Sequence, residues 1–407
     1  MQDTRAYVWM VRALLLAAIV YGGTQVAAIG GGGRQHDFKT YYYAAKAYDK
    51  GRDPYDLGRL RKMAADPELK PFIYPPHTLV LFRPLSRLGY RPAYALFFAA
   101  KIAALLALVF IWMRIVPVSR RDGWALCVTV LLGCQSAVLR DLRAGNVSLF
   151  EQFFLWGGIL LILRNRRWGG GVSILLSAAF KLVTVALAPV VVILRRSWAS
   201  LGLLGVLLLL AVAGGLLLRA AQPDLWDRFI AGARALDERG NKAPGALALI
   251  FDLRDALALR PSAAYVIYGV WCAAVLGAAA WAFRLTRRFA DPRPMLYVFL
   301  LAYALTAPRM KDYSYILVLL PALHVLSVMA KGRLAALAGC ALLWIPMVPY
   351  QSFGVAAAAF GLALNWIRAH RGTPDDLMPQ TLDPLRVFRE ARPAPAGLRG
   401  RAESSPA

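Results

Sequence analysis

Asp37 closes the first long apolar run, in Gly33-Arg34-Gln35-His36-Asp37-Phe38. The alternation of later apolar runs brings Lys181, Arg140, Arg143, Arg309 and Lys311 to the same side of a membrane as that acid. A carboxylate at a bilayer surface can take a proton from an attacking hydroxyl, and fixed cations can stabilise a departing phosphate. Together they suit sugar transfer from a lipid phosphate, with Asp37 as the base and the cations holding the phosphate. Each residue also has a plainer reading. A lone acid at a helix end is commonly just solvated, and Lys181, within an apolar run, could snorkel or sit in an internal ion pair. Inserting a central lysine costs ~2.5 to 3.5 kcal/mol, so its presence calls for a partner or a ligand.

The elements that must position these residues are apolar helices. With 407 residues, 59% hydrophobic side chains and a mean hydropathy of +0.50, the chain is too apolar for an ordinary soluble protein. Several runs reach the ~20 residues that cross a bilayer. The fold class is therefore an all-α polytopic membrane protein of about 10 to 12 helical segments. The net charge of +25 does not point to nucleic acid, because the basic residues cluster between apolar runs, as cytoplasmic loops do. Cys127, Cys134, Cys272 and Cys340 lie in apolar runs without metal-ligand spacing and read as inert thiols.

Tyr7 to Ile29 lacks a convincing small-x-small cleavage site before the polar segment and reads as a retained first span. The polar segment that follows, 31–92, is a first external loop. Phe38 to Lys50 within it reads as an interfacial helix, its Tyr41-Tyr42-Tyr43 cluster at headgroup depth with wet hydroxyls. Thr78 to Leu85 is too short to cross. Later spans are expected near 93–113, 124–139, 147–163, 201–218, 262–283, 295–307, 315–330, 334–348 and 354–367. Arg140 to Asn146 reads as the loop joining two of them. Gly169 to Leu194 has basic flanks at both ends, so it reads as two short helices meeting near Lys181. A second external loop, 219–261, should hold one or two interfacial helices. Residues 1–370 thus form one transmembrane catalytic domain, and 371–407 form a basic, Pro-rich cytoplasmic tail with a disordered composition.

Several stretches resemble glycosyltransferase family 87, a family of GT-C-type integral membrane enzymes. They are His36-Asp37-Phe38 with Tyr42-Tyr43-Ala44-Ala45, Gly51-Arg52-Asp53-Pro54-Tyr55, Tyr74-Pro75-Pro76, and Leu81-Phe82-Arg83-Pro84-Leu85. Gly145-Asn146-Val147-Ser148, Phe180-Lys181 and Ala307-Pro308-Arg309-Met310-Lys311-Asp312-Tyr313-Ser314-Tyr315 continue the likeness, which covers most of residues 8 to 330. The resemblance implies an inverting transfer of a hexose, mannose foremost, from a polyprenyl-phosphate sugar to a lipid-linked or envelope glycan acceptor. It implies no metal and no cofactor beyond that co-substrate. It places the catalytic role on Asp37.

The setting it implies is the bacterial inner membrane, with the site on the extracytoplasmic side. Lys181, Arg309 and Lys311, then Arg140 and Arg143, are the expected phosphate ligands. His36, Tyr74, His77, Asn146 and Asp312 are expected around the acceptor, Asp312 with the alternative of an ion pair to Lys311. Two positions depart from the family's pattern. Asn146 and Ser148 stand where relatives often have Gly-Gln-x-Asn, and Lys311-Asp312-Tyr313-Ser314 stands where some mannosyltransferases have a histidine pair. A flippase of a lipid-linked sugar would also use intramembrane cations and a broken helix. The long first loop and the lack of an evident inverted repeat speak against it, and the acid with its cations speaks against a non-catalytic scaffold subunit.

Overall fold

A computed structural model describes residues 2–31, 35–115, 128, 130–133, 136–195, 197–235, 243–287, 289, 291–325 and 350–370. Among them the regular elements are all helical. Helix α1 (Gln2–Gly30) is followed by three shorter helices, α2 (His36–Asp49), α3 (Leu57–Ala64) and α4 (His77–Ser86), and then by α5 (Tyr90–Ile115). Next come α6 (Ala137–Ala144), α7 (Ser148–Leu163), α8 (Arg167–Phe180), a 3-10 turn (Leu182–Leu187), α9 (Val190–Arg195) and α10 (Trp198–Ala221). The remaining elements are α11 (Pro223–Arg234), α12 (Ala246–Ala256), α13 (Pro261–Thr286), α14 (Arg293–Thr306), a second 3-10 turn (Asp312–Tyr315), α15 (Ile316–His324) and α16 (Gln351–Ala369).

Five of these helices contain stretches long and apolar enough to cross a bilayer: Val8–Gly30, Tyr90–Ile115, Trp198–Ala221, Pro261–Thr286 and Gln351–Ala369. The chain is a polytopic helical membrane protein. The span expected at 124–139 lies partly, and that at 334–348 wholly, outside the described residues, as does the tail 371–407. Helix α14 is shorter but buried from Arg293 to Val298 and again at Leu300, Leu301, Ala302, Ala304 and Leu305, which places it at the centre of the bundle. Its neighbours include α13, α15 and α16. Helices α7 and α8 approach closest through glycine. A Cβ on Gly158 would meet the Gly170 carbonyl at 2.8 Å, the small-residue packing that apolar helices use where water provides no driving force.

Two apolar clusters form. The larger is built mainly by α5 to α10 and α13 to α16, with Ile29 of α1 and Ala246 of α12. The smaller gathers Phe38, Tyr41, Tyr42, Leu60, Leu69, Phe72, Leu79, Phe82, Tyr94, Phe97 and Val147 from α2, α3, α4, the start of α5 and the α6–α7 turn. The Tyr41-Tyr42-Tyr43 cluster, expected with wet hydroxyls, is largely enclosed instead. Tyr41 and Tyr42 are buried, with hydroxyls bonded to Tyr74 Oη at 2.8 Å and to the Leu88 carbonyl at 2.7 Å. Helix α2 packs with α3 and α4 into a core of its own, so two of the three rings are withdrawn from any headgroup layer.

Most of the stretch expected as a joining loop, Arg140 to Asn146, is helix instead. Ser136 caps α6 by accepting the Val138 amide, and Gly145 ends it with φ +69°. The faces of α6 carrying Val138, Leu139 and Leu142 are buried, which draws the stretch into helix. The break expected near Lys181 is present. Lys181 has φ −145° and ψ 113° between α8 and the first 3-10 turn. The second loop holds α11 and α12, with 236–242 outside the described residues.

Candidate functional site

At the seam of the two clusters, the turn after α6 presents Asn146, which is fully buried. Its Nδ2 donates to Asp37 Oδ2 at 2.7 Å and lies 2.9 Å from both Tyr41 Oη and Tyr74 Oη and 3.0 Å from Tyr313 Oη. An amide nitrogen has two hydrogens, so two of these oxygens accept at once and the phenols direct their own protons elsewhere. Asp37 is the second residue of α2, at its positive end, and its side chain is 13% exposed. The exposed Lys70 ammonium lies 3.9 Å from Asp37 Oδ1.

Electrostatics separate the acid from the phenols beside it. Burial, and then the negative charges and phenols nearby including Asp37, pushes Tyr41, Tyr74 and Tyr313 up from the ordinary phenol range. These three therefore stay protonated as donors. Asp37 is the carboxylate among the groups that Asn146 Nδ2 reaches.

Gly145 makes the arrangement sterically possible. At its positive φ, a Cβ would lie 2.8 Å from Gln35 Cβ and 2.9 Å from Phe38 Cβ, so the turn passes directly over the start of α2. Gln35 completes the clamp by donating from Nε2 to the Leu142 carbonyl at 2.8 Å. Beneath the turn, fully buried Lys101 donates to the Asp141 carbonyl at 2.7 Å and ion-pairs with its carboxylate at 2.7 Å. Asp141 Oδ1 accepts the Ser148 amide, and its carbonyl accepts the amides of Gly145 and Asn146.

The expected site residues separate into those at the centre and those around it. Asp37, Tyr74 and Asn146 meet directly. Lys181 joins them at one remove: its Nζ donates to Ser148 Oγ at 2.5 Å and Ser314 Oγ at 3.1 Å, lies 3.2 Å from Glu151 Oε2, and faces the Tyr313 ring at 5.1 Å. Ser148 in turn donates to Asn146 Oδ1 at 3.0 Å. Asp312 is bonded to Arg140 at 3.0 Å, beside the Tyr313 that reaches Asn146. Arg143 points to α1, donating to Tyr21 Oη at 2.7 Å and Gln25 Oε1 at 2.8 Å.

His77 Nε2 bonds the Ala179 carbonyl at 2.9 Å, next to the Lys181 break. His36, half-buried, precedes Asp37 and accepts Thr40 Oγ1 at its carbonyl. Arg309, exposed, and Lys311, half-buried, lie on the segment between α14 and the second 3-10 turn that delivers Tyr313. Sequence reasoning missed the roles of Tyr41, Glu151, Ser314 and Lys101. Glu151 and Lys101 carried a usable signal, each being a lone charge inside an apolar run. Among the described residues no group of three His, Cys, Asp or Glu side chains is placed to hold a metal ion.

The model of glycosyltransferase family 87 matches residues 72–310. The match takes in Tyr74, His77, the α6–α7 turn, the Lys181 break and Arg309. It begins after α2, so the case for Asp37 rests on the geometry around Asn146. No curated protein and no solved structure matches the chain.

Proposed function

The chain belongs to glycosyltransferase family 87, and from that membership we propose that it moves a hexose, mannose foremost, from a polyprenyl-phosphate sugar to a lipid-linked or envelope glycan acceptor. The observation that carries this reading is the Asp37 carboxylate held by Asn146 among phenols that stay protonated. The acceptor hydroxyl attacks the anomeric carbon while Asp37 takes its proton. The bond from that carbon to the phosphate oxygen breaks, polyprenyl phosphate leaves with the electron pair, and the anomeric configuration inverts. No metal or cofactor enters this scheme.

Arg309 and Lys311 are our first choices to meet the phosphate, because their segment leads directly into Tyr313. Arg140, engaged by Asp312, and Arg143, engaged by α1, are better suited to bracing the site. Tyr74, with His36 at the rim, would orient the acceptor, and Asp312 would hold Arg140 beside it; His77, bonded to Ala179, would shape that side. We place the enzyme in a bacterial inner membrane with the site on the extracytoplasmic face, since its short basic loops suit the cytoplasmic side.

The test is transfer of radiolabelled sugar from a panel of polyprenyl-phosphate sugars to membrane lipid extract, with purified wild type and Asp37→Asn. Turnover by the wild type with a loss of roughly a hundredfold or more in the variant is expected for removal of a general base. Equal turnover in both would remove Asp37 from the mechanism. Movement of an intact lipid-linked sugar across vesicles, with no transfer from any donor, would instead favour a flippase.

A further inference from the structure

Glu151 takes no part in the scheme above, yet it is 6% exposed and the one charged residue of a predominantly apolar helix, α7. Its backbone carbonyl accepts Ser177 Oγ at 2.8 Å, its Oε1 accepts Thr184 Oγ1 at 2.6 Å, and its Oε2 faces Lys181 at 3.2 Å. Ser177 is in the last turn of α8, Lys181 is the break itself, and Thr184 is in the 3-10 turn beyond. One residue therefore ties both sides of the break and the charged residue at its centre.

An ammonium has three hydrogens. Two of those of Lys181 go to Ser148 and Ser314, Glu151 Oε2 lies 3.2 Å away as its ion-pair partner, and the ammonium also faces the Tyr313 ring. Since Lys181 donates into Ser148, the serine hydroxyl is free to donate onward, and it does so to Asn146 Oδ1. That bond decides which way the amide faces. With its oxygen toward Ser148, its nitrogen points at Asp37; flipped, its carbonyl would face the carboxylate and repel it.

We propose that Glu151 is a positioning residue for the transfer reaction: it neutralises Lys181 and fixes the break, so that the ammonium orients Asn146 against Asp37 and does not hold the donor phosphate. The proposal rests on the glycosyltransferase reading with Asp37 as base. The charged and titratable groups around Asp37 are Lys70, Tyr41, Tyr74, Tyr313 and the Lys101–Asp141 pair. Those around Glu151 are Lys181, Tyr74 and Tyr303. Lys181 and Glu151 thus form a compensated pair one serine and one amide away from the base.

The test uses full-length protein in detergent and two kinds of readout. In Glu151→Gln the lysine is left uncompensated, and its positive charge favours ionised Asp37. The acid limb of the pH–rate profile is expected to move down by about 0.5 unit or more. In Glu151→Gln/Lys181→Gln both charges are gone, and the limb is expected to return to its wild-type position. A purely structural role would lower the rate without that shift and reversal, and this outcome would overturn the proposal. If Glu151→Gln does not accumulate, Lys181→Met decides. A fall in kcat of roughly tenfold or more with the donor KM unchanged supports positioning, whereas a raised donor KM with kcat kept overturns it. Absence of transfer by the wild type would instead be a failure of the enzymatic reading, so the two failures are distinguishable.

Discussion

Asn146 Nδ2 reaches Asp37 Oδ2 at 2.7 Å from a turn 109 positions away in the chain, and the same nitrogen touches three tyrosine hydroxyls. A donor so placed holds the carboxylate in one orientation. Asn146→Asp would replace it with a second carboxylate. Like charges at this separation disfavour double ionisation, so one of the pair is expected to hold its proton to higher pH. The acid limb of the pH–rate profile should move up by about one unit or more, with much of the activity recovered on the alkaline side. Asn146→Leu removes the donor without adding charge and should lower kcat roughly tenfold or more at every pH. An unmoved limb in Asn146→Asp would mean that Asp37 is not the titrating base.

The Lys101–Asp141 pair lies under that turn with both side chains fully buried. Removing one partner strands the other charge, at a cost of about 3 to 5 kcal/mol. Lys101→Met should therefore lower the thermal stability of the detergent-solubilised protein sharply. Lys101→Met/Asp141→Asn should recover most of the loss, because the amide can still accept the Ser148 N–H. A double variant whose loss equals the sum of those of Lys101→Met and Asp141→Asn measured singly would show that the residues act independently.

Gly145→Ala tests the clamp over α2. The added methyl meets Gln35 and Phe38 at under 3 Å in a left-handed turn, and both neighbours are buried. A loss of about 1 to 3 kcal/mol is expected from the backbone conformation alone, with a fall in activity larger than the fall in folded protein. Size-exclusion of the heated sample, read beside turnover of the fraction that stays folded, separates the two. Wild-type stability in the variant would mean that the turn has room to move.

The sequence made the membrane class, the helix-rich first loop and the break at Lys181 legible, because each follows from apolar length, turn residues or a charge where none belongs. Asp37 and Asn146 could be picked out from motifs, but their contact could not, since no periodicity links positions so far apart. Arg140 and Arg143, a basic pair between apolar runs, read as part of a loop, whereas they lie on α6, with Arg140 paired to Asp312 and Arg143 bonded to α1. Glu151 and Lys101, like Lys181, are charges inside apolar runs that call for a partner at the same insertion cost, and the pairs Lys181–Glu151 and Lys101–Asp141 supply them.

His77, bonded to Ala179 beside the Lys181 break, offers a test through stability alone. Burial lowers its imidazole below the usual histidine range, partly opposed by the bond to Ala179. That carbonyl takes the Nε2 hydrogen of the neutral ring, and Nδ1 is buried without a hydrogen-bond partner, so a second proton there would find no acceptor. With the folded-state value depressed, the unfolded chain binds more protons in the window below its own value of about 6.5. Stability is therefore complete above that pH and falls as the pH drops through the window toward the folded value. The melting temperature of the wild type, taken relative to His77→Gln across pH 5 to 8, should lose ground as the solution is acidified below about 6.5. A wild-type advantage that grows on acidification would mean instead that His77 is charged in the folded protein, with an anionic partner close to Nδ1.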